Sequence, residues 1–282
     1  MKKTMVTTAM IGVLAMALTA CGGAKEESST KEPVDVNVFI AASLNNSMTE
    51  LKEAYEEENP DVNIVLNADS SGTLMTQIQE GHACDIFFSA AQKQMDTLEE
   101  EGMVVADTRK NVVNNQLAVV TLKDSGTKVT GIENLGDAES LALADGSVPV
   151  GKYTRQALMN LGILPETEDP SVYTTAEVSE ALGGIEISEQ ANVSKVFTAV
   201  LEGACEVGTT YVSDTYGQDE NIVILQTVPY DITGNVIYPI ARIQNEDASE
   251  EETEAAQDFL EFVTSEDNKA VFEKYLFDTD VE

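Results

Sequence analysis

From residue 36 onward, short apolar runs alternate with amphipathic stretches, and the alternation predicts the architecture. Val36, Val38, Phe39 and Ile40 run nearly continuously, as in a strand covered on both faces. Two alanines and Ser43 follow, and the pattern turns helical, with Met48, Leu51, Ala54 and Tyr55 on one stripe. The apolar run 62–68 repeats the arrangement: Asp69-Ser70-Ser71-Gly72 breaks it before a helix over 73–79. A third strand over 85–90 ends in the small residues Ser89-Ala90 and leads into a helix over 92–100. Three strand–helix units in succession predict an α/β fold with a parallel sheet and right-handed crossovers.

The second half repeats this grammar. A fourth strand is expected over 115–123, and the looser stretch 126–136 carries the chain into a second lobe. There a strand over 141–145, a turn over 146–151 and a helix over 153–161 follow one another. The stretch 165–189 is acidic and weakly patterned, with only a short helix over 177–182. A helix over 192–201 carries Val193, Val196, Phe197 and Val200 on one stripe, a pattern that reads as core. Strands over 207–214, 222–227 and 236–243 and helices over 255–263 and 268–275 complete the chain.

A strand that ends in small residues and feeds a helix leaves unpaired N–H groups at the helix start, where the dipole favours an anion. Ser43 and Ser71 stand at two such mouths, and open α/β sheets bind ligands at the carboxyl ends of their strands. Capping alone accounts for either serine taken singly. Pro149 suits a first helical turn and leaves the Val150 amide pointing outward, although a plain helix start accounts for it equally well. Tyr211 fits a half-buried sheet position.

Composition narrows the setting. Fifty acidic against 16 basic residues give a net charge of −34, which argues against nucleic acid and against docking on anionic lipid by charge. A recessed anion site remains compatible with it, because distant charge is screened beyond roughly 10 Å. At the amino terminus, Lys2 and Lys3 precede an apolar stretch over 9–17, too short for a membrane span, which ends in Leu18-Thr19-Ala20-Cys21. That box resembles the bacterial lipoprotein cleavage site, in which the cysteine becomes the lipidated first residue. The polar stretch 22–33 then serves as a tether. Cys84 and Cys205 read as buried free thiols. His82 is the sole histidine, so neither a metal cluster nor a serine–histidine catalytic arrangement is expected. The chain reads as a non-enzyme without a cofactor.

Several motifs, taken together, carry a resemblance: Ala41-Ala42-Ser43-Leu44, Ser70-Ser71-Gly72-Thr73-Leu74, Asp85-Ile86-Phe87-Phe88-Ser89-Ala90, Val148-Pro149-Val150-Gly151-Lys152-Tyr153, Gly208-Thr209-Thr210-Tyr211 and Tyr238-Pro239-Ile240-Ala241. In this order they resemble the periplasmic molybdate-binding proteins of molybdate ABC transporters, over nearly the whole chain from Val36 to Phe277. The resemblance implies a two-lobed periplasmic-binding-protein fold, each lobe a mainly parallel sheet flanked by helices. Lobe 1 would span 35–115 and 229–282 and lobe 2 would span 116–228, after a leader over 1–20 and a tether over 21–34.

It further implies a monomer that closes on molybdate or tungstate and delivers it to a membrane permease. This would happen outside the cytoplasm, on a protein anchored to the cell membrane through Cys21. Carried across motif by motif, Ser43 and Ser71 would donate hydroxyl and backbone hydrogen bonds, Val150 and Val193 backbone N–H, and Tyr211 its phenol. Two departures stand out: the family often has a small hydroxyl residue where Gly72 stands, and the stretch 165–190 is longer than expected. Sulfate is expected to be too small for a cleft of fixed radius. Phosphate would bring a proton that needs a carboxylate to accept it.

Overall fold

In the computed structural model, which describes residues 33–281, the first apolar run is β1 (Val34–Ala41), with Val36, Val38 and Ile40 fully buried. It passes through a 3-10 turn (Ala42–Leu44) into α1 (Asn45–Glu58), which buries Met48, Leu51 and Tyr55. β2 (Val62–Asp69) with α2 (Ser71–Gln79), then β3 (Ile86–Phe88) with α3 (Gln92–Glu100), repeat the unit. β1 pairs in parallel with both neighbours, setting Ile40 between Ala68 and Phe88. All three strands therefore end on one edge of the sheet.

The expected strand over 115–123 is divided in two. β4 (Lys110–Asn115) and β5 (Leu117–Leu122) lie in different sheets, with Gln116 alone between them. Side chains replace ladder bonds at the crossing: Asn114 Oδ1 accepts from the Asn115 N–H at 3.0 Å, and Asn115 Oδ1 from the Gln116 N–H at 2.9 Å.

The chain continues with β6 (Ser140–Ala144), α4 (Pro149–Asn160), α5 (Thr175–Ala181), β7 (Glu186–Gln190), α6 (Val193–Leu201), β8 (Val207–Tyr211) and β9 (Ile222–Thr227). A short α7 (Tyr230–Thr233) leads to β10 (Val236–Arg242), α8 (Glu250–Val263) and α9 (Lys269–Lys274). One five-stranded sheet has the order β2-β1-β3-β10-β4 and the other β7-β6-β8-β5-β9. β10 runs antiparallel to both of its neighbours, as does β5 in the second sheet, while β6, β7 and β8 are mutually parallel. The architecture is α/β with two mixed sheets, the arrangement of periplasmic binding proteins.

Several elements differ from the sequence reading, three of them for a clear local reason. α4 begins at Pro149, a turn earlier than the apolar pattern suggests, because proline is at home in a first turn. β8 stops at Tyr211 and not at residue 214, since Asp214 Oδ2 accepts from the Tyr211 N–H at 3.0 Å and from Thr210 Oγ1 at 2.8 Å, turning the chain into a 3-10 turn (Val212–Thr215). β7 lies within the acidic stretch and has a single apolar residue, Ile187, so it gives no alternating signal. It is an edge strand, and its side chains are mostly exposed.

Cys84 and Cys205 are buried free thiols, and His82 is exposed just after α2. Among the described residues no helix is long and apolar enough to cross a membrane. The leader, the tether and Cys21 lie outside the described residues.

Candidate functional site: a cavity between two sets of strand ends

The carboxyl ends of β1, β2 and β3 face those of β6 and β8 across a small cavity of about 10 Å³. Its first wall includes Ala42, Ser43, Ser70, Ser71 and Ala90, and its second Val148, Pro149, Val150, Val193 and Tyr211. The space is narrow, so the two walls stand close to each other across it. All five residues singled out in the sequence line it.

Each reaches the cavity by a different local route. Ser70, not Ser71, caps α2, with its Oγ accepting from the Thr73 N–H at 3.1 Å. Ser71 is thereby the first helical residue. It is fully buried, and its Oγ accepts from the Ala90 N–H at 2.9 Å. Among the described residues no acceptor takes the Ser71 proton, which leaves the hydroxyl a donor.

Ser43 is not a cap either; it sits within the 3-10 turn, with its Oγ 2.9 Å from Tyr238 Oη. Val150 is the second residue of α4, whose capping residue Val148 offers no side-chain acceptor. Val193 is the first residue of α6, which Asn192 caps by accepting from the Lys195 N–H at 3.0 Å. The N–H groups of a first helical turn have no intrahelical partner, so α2, α4 and α6 each present donors here. The apolar stripe of α6 is indeed core, with Val193, Val196, Phe197 and Val200 all buried, and Val193 also forms the edge of the cavity.

Tyr211 ends β8 and is 1% exposed, and among the described residues its hydroxyl has no hydrogen-bond partner. Burial, followed by the nearby Tyr238, Tyr153 and Asp214, pushes its phenol well above the ordinary range. It therefore stays protonated and can donate. A buried hydroxyl left unpaired is costly, and one facing a cavity marks a place for an acceptor.

The one charged side chain lining the cavity among the described residues is Asp69, which is half-buried. Its Oδ1 accepts from the Ser70 N–H at 2.7 Å and from Asn192 Nδ2 at 3.0 Å. Arg155, fully buried on α4, is already engaged: its guanidinium donates to the carbonyls of Ala144, Gly151 and Tyr173 at 2.8 to 2.9 Å. The cavity thus offers neutral donors in place of a basic side chain, a chemistry suited to an oxyanion. Among the described residues no cluster of His, Cys, Asp and Glu could hold a metal ion.

Sequence reasoning did not single out Asn115, Tyr238, Ser213, Asp69 or Asn192. Asn115 Nδ2 donates to Ser213 Oγ at 2.8 Å and to Tyr238 Oη at 3.1 Å, which links the first sheet to the second beside the cavity. Asn192 had a legible signal, an asparagine just before an apolar helical stripe, but only as a cap.

The model of the bacterial extracellular solute-binding protein family matches residues 36–278. The chain belongs to that family. Among the family's relatives, it is 27% identical over 270 residues to YvgL of Bacillus subtilis, a lipoprotein provisionally named as an ABC transporter substrate-binding protein, covering 95% of this chain and 96% of YvgL. It is 29% identical over 252 residues to the molybdate-binding protein ModA of Escherichia coli, covering 86% and 88% of the two chains. A solved substrate-binding domain from Clostridium difficile, provisionally assigned to a molybdenum ABC transporter, is 30% identical with a TM-score of 0.62, covering 88% of this chain and 99% of that one. The phosphate-binding protein PstS of Bacillus subtilis is also similar, 26% identical over 286 residues and covering 94% of this chain and 90% of PstS.

Proposed function

We propose that this family member captures molybdate or tungstate outside the cytoplasm and passes it to the membrane permease of an ABC transporter. The observation that carries the reading is the unpartnered, buried Tyr211 hydroxyl in the wall of a cavity at which three helices begin. Ser43, Ser71 and Tyr211 would donate hydroxyl hydrogen bonds and Val150 and Val193 backbone ones, so that donors surround a dianion from both walls. The similarity to ModA and to the Clostridium difficile domain supports molybdate as the ion. Anchoring through a lipidated Cys21 is part of the proposal. Changing Cys21→Ala should move the protein from the membrane fraction to the soluble one, and unchanged fractionation would reject the anchor.

A second reading, hydrogen phosphate, is favoured by one feature: Asp69 puts a carboxylate in the wall, where it could accept the proton that phosphate carries. The similarity to PstS points the same way. One experiment separates the two. Calorimetric melting is followed with molybdate, tungstate, sulfate and phosphate, because a ligand that binds only the folded chain raises stability with its free concentration. Molybdate and tungstate should raise the melting temperature at micromolar concentration, with sulfate and phosphate inert at roughly a thousandfold excess. A phosphate response equal to that of molybdate would leave an oxyanion-binding protein of unknown specificity, and a response to phosphate alone would replace the first reading with the second.

A further inference from the structure

We infer that Tyr238 and Asn115 are positioning residues for the bound anion, turning the Ser43 hydroxyl so that its proton faces the cavity. The inference deepens the oxyanion reading and rests on it. The geometry runs outward from the crossing between the sheets. Asn115 Oδ1 accepts from the Gln116 N–H at 2.9 Å, which fixes the amide and leaves Nδ2 on the other side. Nδ2 then donates to Ser213 Oγ at 2.8 Å and to Tyr238 Oη at 3.1 Å.

Tyr238 Oη thus receives a hydrogen bond, and its own proton needs an acceptor. Its ring is fully buried, and burial holds the phenol well above the ordinary range, so the proton stays in place. Among the described residues the acceptor within hydrogen-bond distance is Ser43 Oγ at 2.9 Å. Tyr238 therefore donates to Ser43. The reverse arrangement would leave the Tyr238 proton buried with no acceptor, the costlier outcome. With its oxygen receiving this bond, Ser43 has its own proton left for an acceptor in the cavity. Ser71 reaches the same state through the Ala90 N–H. The first wall thus sets the Ser43 and Ser71 hydroxyls as donors.

A positioning role acts through Ser43, and this separates it from a structural one. Molybdate affinity is measured by calorimetric titration for the unsubstituted chain, Tyr238→Phe, Ser43→Ala and the double variant, with the ligand-free melting temperature of each as a check on folding. Tyr238→Phe should weaken binding about tenfold. Ser43→Ala should weaken it at least as much, and the double variant should bind no more weakly than Ser43→Ala. Losses that multiply in the double variant would overturn the inference. So would unchanged affinity in Tyr238→Phe, or loss of its cooperative melting. If the unsubstituted chain binds none of molybdate, tungstate, sulfate and phosphate, the oxyanion reading falls and this inference with it. Binding with multiplying losses overturns the positioning role alone.

Discussion

Asn192 Nδ2 donates to Asp69 Oδ1 at 3.0 Å, joining the cap of α6 on one sheet to the end of β2 on the other. Each residue also supports its own helix start: Asn192 accepts from the Lys195 N–H, and Asp69 accepts from the N–H of Ser70, the α2 cap. The bond therefore clasps together two of the helix ends that face the cavity. In Asn192→Ser the cap survives and the clasp is lost. Ligand dissociation should quicken about tenfold, in line with one hydrogen bond to a carboxylate of about 1.5 kcal/mol, while association and the ligand-free melting temperature change little. Stopped-flow measurement of both rates checks this, and an unchanged dissociation rate would count against the clasp.

Direct donors should matter more. A hydrogen bond to a charged group contributes about 1.5 to 3 kcal/mol, so Ser71→Ala, Ser43→Ala and Tyr211→Phe should each weaken molybdate binding roughly ten- to a hundredfold. Val150→Ala keeps its backbone N–H and should bind nearly as the unsubstituted chain does. Calorimetric titration of the four variants reads this contrast. A Val150→Ala loss as large as that of Ser71→Ala would show that side-chain packing, not donation, governs the site.

Gly72 lets the two walls meet. A Cβ there would stand 2.9 Å from the Ser147 carbonyl oxygen, in the turn between β6 and α4. Within α2 the same Cβ is favourable, since alanine is better than glycine in a helix by about 0.5 to 1 kcal/mol. Gly72→Ala should therefore hold or raise the ligand-free melting temperature while weakening ligand binding by about 1 to 3 kcal/mol, the usual cost of overpacking. Undiminished affinity would mean that the walls do not close this tightly on the ion.

Asp214 predicts a pH dependence. Burial raises its carboxyl from 3.8 to about 6, although bonds from Thr210 Oγ1 and the Tyr211 N–H favour the ionised form. An acid whose value rises on folding binds more protons in the folded chain, so its contribution favours the fold below about pH 4 and is lost as pH climbs to about 6. The loss amounts to roughly 3 kcal/mol. Asp214→Asn keeps an acceptor and removes the titration, so its melting temperature should gain on that of the unsubstituted chain between about pH 4 and 6 and run parallel to it above. Curves parallel throughout would show that Asp214 titrates normally.

What the sequence determined was local. Strand–helix alternation through α3, the helix starts behind Ser43 and Ser71, and the buried stripe of α6 follow from side-chain period and chain stiffness over a few residues, which act wherever the segment ends up. The contest between Ser70 and Ser71 for the cap of α2 was not legible, because adjacent serines look alike until one of them meets the Ala90 N–H. β7, with one apolar residue, carried no periodic signal.

What only the tertiary structure decided was the company each residue keeps. Ser43 and Tyr238 are 195 positions apart, Asn115 and Tyr238 are separated by 123, and so are Asp69 and Asn192. Their meetings depend on the order of strands in two sheets and on a crossing at Gln116, where asparagine side chains take over the backbone bonds. Hydrogen bonds between such partners act over about 3 Å, so nothing in the sequence near either residue announces them; they exist once the sheets have brought the strand ends together.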